Sequence, residues 1–196
     1  MFIRAIYLLL LSSLSVIAKT KIMGQAQCTA EQMKAYLKQV NPNVSKKYLK
    51  TPSIYLKEGK IEGVRGDLAF AQALLETNFF RFTGSVQSSQ NNFAGIGAVD
   101  NATKGNKFST MRQGIRAQIQ HLKAYASDKK LNRKCVDPRF SLVKKRNAFQ
   151  YIEDLDKWAC PGYDPKKYTS FKMAHQNNDT YGHKIVKHLK KIQQCK

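Results

Sequence analysis

The first apolar stretch of the chain is an isolated one. Residues 1–18 read MFIRAIYLLLLSSLSVIA, with Arg4 as a short basic start and an apolar run from Ala5 to Ile17. Val16 and Ala18 are small residues at the −3 and −1 positions of a cleavage site, the layout of a secretory signal peptide. A second cleavage site follows Ala26, in GQA. The run falls short of the roughly 18 apolar residues a membrane span needs, so no stable membrane insertion is expected after signal cleavage.

Beyond residue 18 the pattern becomes helical. Thr29 to Val40 is amphipathic, with Thr29 and Gln32 at capping-box spacing and Asn41-Pro42 as a stop. Ser45 to Lys57 predicts another helix, interrupted near Pro52. Ile61, Val64, Leu68, Ala71 and Leu75 share one stripe and predict the strongest helix, from Ile61 to about Phe80. Ser85 to Asn92 is polar loop. NFAGIGAV (92–99) and the turn-forming DNATKGNK (100–107), followed by Phe108, predict a small irregular β hairpin.

Helical spacing returns from Gln113 to Ala126, through Ile115, Ile119 and Leu122, and Asp137-Pro138 breaks it. Ala148 to Ala159 predicts a helix, followed by a loop through Pro161 and Pro165. Asp179 to Gln194 predicts the last helix, with Tyr181, Ile185, Leu189 and Ile192 toward the core and Lys184, Lys187 and Lys191 on a basic stripe. The outline is α+β, mainly α. Residues 19–60 read as an N-terminal helical extension and 61–196 as the principal domain.

Composition narrows the class. A chain of 196 residues with 42% hydrophobic residues can bury one core, and wholesale disorder is excluded. No repeat of solenoid period occurs. Lys plus Arg number 34 against 13 Asp plus Glu, a net charge of +21. Such a charge points to an anionic partner. For an exported protein that means wall polymers or lipid head groups, not nucleic acid. Cys28, Cys135, Cys160 and Cys195 include no CxxC pair, which argues against zinc and thioredoxin-like chemistry. An even count in an oxidising compartment suggests disulfides, with reduced buried thiols as the alternative. Of three connectivities, Cys135–Cys160 with Cys28–Cys195 tying the termini is preferred.

Few residues can carry chemistry. Glu76 lies in AQALLETNFF, one residue beyond a core position and flanked by Leu74, Leu75, Phe79 and Phe80. Apolar surroundings raise a carboxyl pKa, as a general acid near neutral pH requires; periodicity alone equally fits a solvated surface Glu. There is no G-x-S-x-G elbow and no Walker loop. His121, His175, His183 and His188 include no i, i+4 pair, so no metal is implied, nor any cofactor. His121, on the flank of its helix, reads as a structural histidine.

GVRGDLAFAQALLETNFF resembles the central helix of the bacterial glucosaminidases that digest peptidoglycan, glycoside hydrolase family 73. Ala71, Gln72, Ala73, Leu75, Glu76 and Thr77 match its A-Q-A-x-L-E-S-like motif. Asn92, Phe93, Gly95 and Ile96 are similar to its N-L-F-G-I-K motif, with Ala94 as a departure. Phe108 with IRAQIQHLKAYA, then Lys157-Trp158-Ala159, then Tyr181, Lys184 and Ile185, follow in the family's order. The match runs from about Gly63 to Leu189.

The resemblance implies a lysozyme-like helical domain over 61–196, with a small β-hairpin lobe flanking the active-site cleft. It implies cleavage of the β-1,4 bond between N-acetylglucosamine and N-acetylmuramic acid in glycan strands of peptidoglycan. The signal peptide adds the expectation of a secreted, periplasmic or wall-associated protein, and a monomer is expected. Glu76 becomes the general acid, Tyr181 a cleft residue able to bond an N-acetyl group or position water, and Asn92 and Phe93 substrate contacts. Trp158 could be a sugar platform, though core packing suits it better. For the second carboxylate, the only acid between Glu76 and Ser127 is Asp100, which is equally a plain turn residue. Asp100 activating water would invert the product; assistance by the substrate's N-acetyl group would retain it. Alternatives remain: a muramidase or lytic transglycosylase, a non-catalytic wall-binding protein, or a cationic membrane-active protein.

Overall fold

The computed structural model describes residues 18–84, 86–97, 105–145, 149–157 and 162–196. In chain order its helices are α1 (Ala30–Val40), α2 (Thr51–Glu62), α3 (Gly66–Glu76), α4 (Met111–Ala126), α5 (Phe140–Lys144), α6 (Phe171–Gln176) and α7 (Tyr181–Gln193). Short 3-10 turns occupy Lys46–Lys50, Ser88–Gln90 and Ile152–Lys157.

Local chemistry accounts for the boundaries. Thr29 and Gln32 close the expected capping box on α1. The helical stretch does break just before Pro52, between the 3-10 turn Lys46–Lys50 and α2; Pro52 itself sits in the first turn of α2, where its missing N–H costs nothing. The single helix predicted over Ile61–Phe80 is two. Gly63 ends α2 in the left-handed conformation (φ 73°), and α3 begins at Gly66. A Cβ on Gly66 would collide with the Tyr55 carbonyl, so the two helices cross backbone to backbone. The apolar stripe continues through this corner, which hid it.

α3 is the centre of the domain. Every residue from Gly66 to Leu74 is buried, the pattern of a helix enclosed by others. α2 packs on α3 and α4, and α7 packs on α3 and the Ile152–Lys157 turn. Leu68, Phe70, Leu74, Ile115, Ile119, Leu122, Ile185, Leu189 and Ile192 share one core with Ile22 and Met33.

The stretch before α1 is therefore part of that core. Ile22 is fully buried, its N–H bonded to the Gln150 carbonyl (2.9 Å) and its carbonyl to the Arg65 N–H (3.0 Å). The division expected at residue 61 falls inside α2.

Three buried acids are absorbed by this framework. Glu58 pairs with Arg112 (3.2 Å) and Arg116 (2.9 Å), Glu62 with Lys123 (2.8 Å), and Asp67 with Arg65 (2.8 Å).

The β-hairpin lobe is not shown: among the described residues only isolated bridges occur, Lys21 with Tyr151 and Met23 with Val64. The Asn106 N–H bonds the Ile96 carbonyl (2.8 Å), and the Asn92 side chain braces the same loop. Its amide donates to the Ile96 and Asn106 carbonyls (2.9 and 3.0 Å), and its oxygen accepts from the Ile96 N–H (3.0 Å). Gly95 and Gly97 complete the loop with φ of 61° and 80°; residues 98–104 lie outside the described residues.

One expectation is corrected, that of the cysteines. Cys28, Cys135 and Cys195 are free thiols, so the Cys28–Cys195 link is not formed; Cys160 lies outside the described residues. The Cys195 thiol bonds instead to the Lys191 carbonyl (3.4 Å). Burial, with Asp67 nearby, pushes the Cys28 thiol up to about 12.

Candidate active site

Glu76 is the last residue of α3, and the chain behind it is bent sharply away. The Thr77 hydroxyl donates to the Ala73 carbonyl (2.7 Å) and accepts from the Phe80 N–H (2.9 Å). Asn78, Phe79 and Phe80 then run left-handed, with φ of 47°, 56° and 60°. For non-glycine residues that conformation costs about 1–2 kcal/mol each, held here by burial of Phe80 against Tyr48, Phe70 and Phe93. Three residues of strained backbone thus stop α3 one position after the carboxylate.

The carboxyl group faces inward. Burial raises its pKa, opposed by the hydrogen bond it accepts from Tyr181. The partial negative charge of a helix C-terminus acts in the same direction as burial. No cation is among its partners in the described residues.

Tyr181 is the first residue of α7, fixed by Gly162 (φ 60°), whose added Cβ would lie 2.6 Å from Cβ of Tyr181. Its phenol donates to Oε1 of Glu76. Behind it runs a buried chain in which each donor points the same way. Tyr55 donates to Gln118 Oε1 (2.6 Å), Gln118 Nε2 to Gln72 Oε1 (2.8 Å), and Gln72 Nε2 to the Tyr181 hydroxyl (2.9 Å). The phenol of Tyr181 is held well above its ordinary pKa, first by burial and then by the Glu76 charge, so it stays a donor.

These groups open onto a cavity of about 250 Å³, lined among others by Gln72, Glu76, Ala94, His121, Tyr125 and Tyr181. Gly95 approaches from the loop side: a Cβ there would stand 3.6 Å from Oε2 of Glu76. A larger groove of about 830 Å³ lies elsewhere, between Asn41–Tyr48 and Phe80–Ser89. Its described lining includes no carboxylate.

The residues singled out from sequence divide. Glu76 and Tyr181, placed by helices far apart in the chain, meet at this cavity. Asn92 and Phe93 are not in the lining of this cavity: Asn92 is 0% exposed and spends its amide on the loop backbone, and Phe93 is 1% exposed among Tyr48, Phe80 and Phe82. Asp100 and Trp158 lie outside the described residues. Gln72 and Gln118 had no assigned part in the site. Their signal was present in the sequence, as uncharged polar side chains on the inward faces of apolar helices, which burial obliges to find partners. His121 lines the cavity, with Nδ1 2.8 Å from Asp137 Oδ2.

With this arrangement in hand, comparison with known proteins is decisive. Residues 52–194 match the family described as Glucosaminidase, mannosyl-glycoprotein endo-beta-N-acetylglucosaminidase. The chain belongs to the glucosaminidase family. It is a glycoside hydrolase of the endo-β-N-acetylglucosaminidase class, and the resemblance carried by the Glu76 and Tyr181 motifs is borne out at that level. A protein of Borreliella burgdorferi described as uncharacterized is 44% identical over 160 residues, 80% of this chain and 78% of its own length. The family match starts in α2 and ends one residue past α7.

Proposed function

We propose that this glucosaminidase is an exported peptidoglycan hydrolase that cuts the β-1,4 bond between N-acetylglucosamine and N-acetylmuramic acid, with Glu76 as general acid. The observation that carries the reading is the environment of Glu76: a carboxyl group with its pKa raised by burial, bonded to Tyr181 and facing a cavity. The phenol engages Oε1. That leaves Oε2, on the Gly95 side, to carry the proton to the glycosidic oxygen. A raised pKa keeps the proton available toward neutral pH.

The N-terminal segment supports export with cleavage after Ala18. A cut after Ala26 would remove Ile22 from the core and the backbone bonds of residues 20–24 with it. No helix among the described residues is long and apolar enough to cross a membrane. The charge of +21 suits a wall rich in carboxylates and phosphates.

Clearance of purified walls by the mature protein tests the reading. Glu76→Gln keeps the hydrogen bond to Tyr181 but carries no acidic proton, and should lower the rate by roughly 10²–10⁴-fold with the melting temperature maintained. A Glu76→Gln protein as active as the parent would remove Glu76 from the mechanism.

A further inference from the structure

The cavity holds one carboxylate, and among the described residues no second acid lines it. It does hold an imidazole. Gln118, His121, Leu122 and Tyr125 stand at i, i+3, i+4 and i+7 on α4 and form one wall. The orientation of that wall is fixed: Gln118 is bonded to Gln72, and Gln72 to Tyr181, so α4 is tied to the elements that hold Glu76.

His121 is itself tightly placed. Gln120 Oε1 accepts from the N–H groups of Val136 (2.8 Å) and Asp137 (3.3 Å), pinning that loop to α4. The Arg139 N–H donates to Asp137 Oδ1 (2.9 Å), which leaves Oδ2 for Nδ1 of His121 at 2.8 Å. The Asp137 side chain is 0% exposed and that of His121 17%. The Tyr125 ring meets the imidazole edge-on, centroids 5.2 Å apart. A carboxylate accepting at Nδ1 puts the ring proton there and leaves Nε2 as an acceptor.

We propose that His121, oriented by Asp137, is the base that takes a proton from the attacking water. The inference rests on Glu76 being the acid. Glu76 gives its proton to the glycosidic oxygen. The C1–O bond breaks with its electron pair on that oxygen, the water oxygen bonds C1 from the opposite face, and the water's proton passes to Nε2 of His121. Return of that proton to Glu76 through solvent closes the cycle, with one water consumed. The product is therefore inverted. In this scheme Asp137 is a positioning residue.

The opposing possibility is that His121 only anchors the Asp137 loop. Two measurements separate them. The first needs no variant: NMR of fresh product from the wild-type enzyme should show the α anomer, and the β anomer would overturn the proposal. The second is His121→Asn. Its amide can stand where Nδ1 stands and keep the bond to Asp137, but nothing replaces Nε2. We expect kcat to fall by about 10²-fold or more, KM to stay within a few-fold, and the melting temperature to hold. A kcat within a few-fold of wild type would overturn the proposal, as would a large loss in Asp100→Asn with His121→Asn unaffected. Glu76→Gln keeps the two readings apart. If it is inactive while His121→Asn is active, only this inference fails; if it is active, the assignment of the acid fails.

Discussion

Tyr181 donates its phenolic hydrogen to Oε1 of Glu76 across 105 positions of sequence, as the last link of the buried chain Tyr55–Gln118–Gln72–Tyr181–Glu76. This bond is what opposes the effect of burial on the carboxyl group. Tyr181→Phe removes it and leaves Gln72 Nε2 without an acceptor, so stability should drop by roughly 1–3 kcal/mol. The Glu76 pKa should move further up. A pH–rate profile then shows the alkaline limb displaced to higher pH at a reduced maximum; an unmoved limb would mean that Glu76 does not set it.

Burial of Glu76 also has a sign in stability. Its folded-state pKa lies above the ordinary 4.5, so its contribution is fully present below that value and is lost as pH rises through the folded value. Glu76→Gln, which cannot ionise, should therefore match or exceed the wild-type melting temperature near neutral pH, and the gap should close below about pH 4. Melting curves across that range check it. A gap that widens on acidification would contradict the raised pKa.

How far the chain was readable follows from these same residues. The fold class, the capping box of α1, α4 and the core face of α7 were legible, because periodicity of apolar residues reports burial directly. The corner at Gly63 was not, since the stripe runs on through it and only the left-handed Gly63 and the helix crossing at Gly66 distinguish two helices from one. The bracing around Asn92 was not legible either: one side chain bonds four backbone groups, the Ala94 and Ile96 N–H and the Ile96 and Asn106 carbonyls, which no apolar pattern announces. Glu76 was legible as a carboxyl group in apolar company, and Tyr181 only through its motif. Their meeting, and the approach of His121, depend on how α3, α4 and α7 pack, which one-dimensional spacing does not encode.

The segment before α1 makes a separate prediction. Ile22 is wholly buried, so Ile22→Ala should cost about 2–5 kcal/mol, read by denaturant unfolding. Edman sequencing of the exported protein should begin at Lys19. A mature chain starting at Gln27 with unchanged stability would contradict the role assigned to residues 19–26.

The strongly positive net charge should hold the enzyme to its substrate. Screening shortens the reach of surface charge from about 10 Å at 0.1 M salt to about 3 Å at 1 M. Sedimentation of the protein with purified walls should accordingly fall steeply over that range. Binding indifferent to salt would point to specific subsites instead.

The central claim is the bond that Glu76 helps to break, and the ends of the product report it. Purified peptidoglycan would be digested with the mature protein, the fragments reduced with borohydride, and their termini identified by mass spectrometry. Reduced N-acetylglucosamine ends, absent when Glu76→Gln is used, are the predicted result. Reduced N-acetylmuramic acid ends, anhydro ends, or intact glycan with the protein still bound would contradict it.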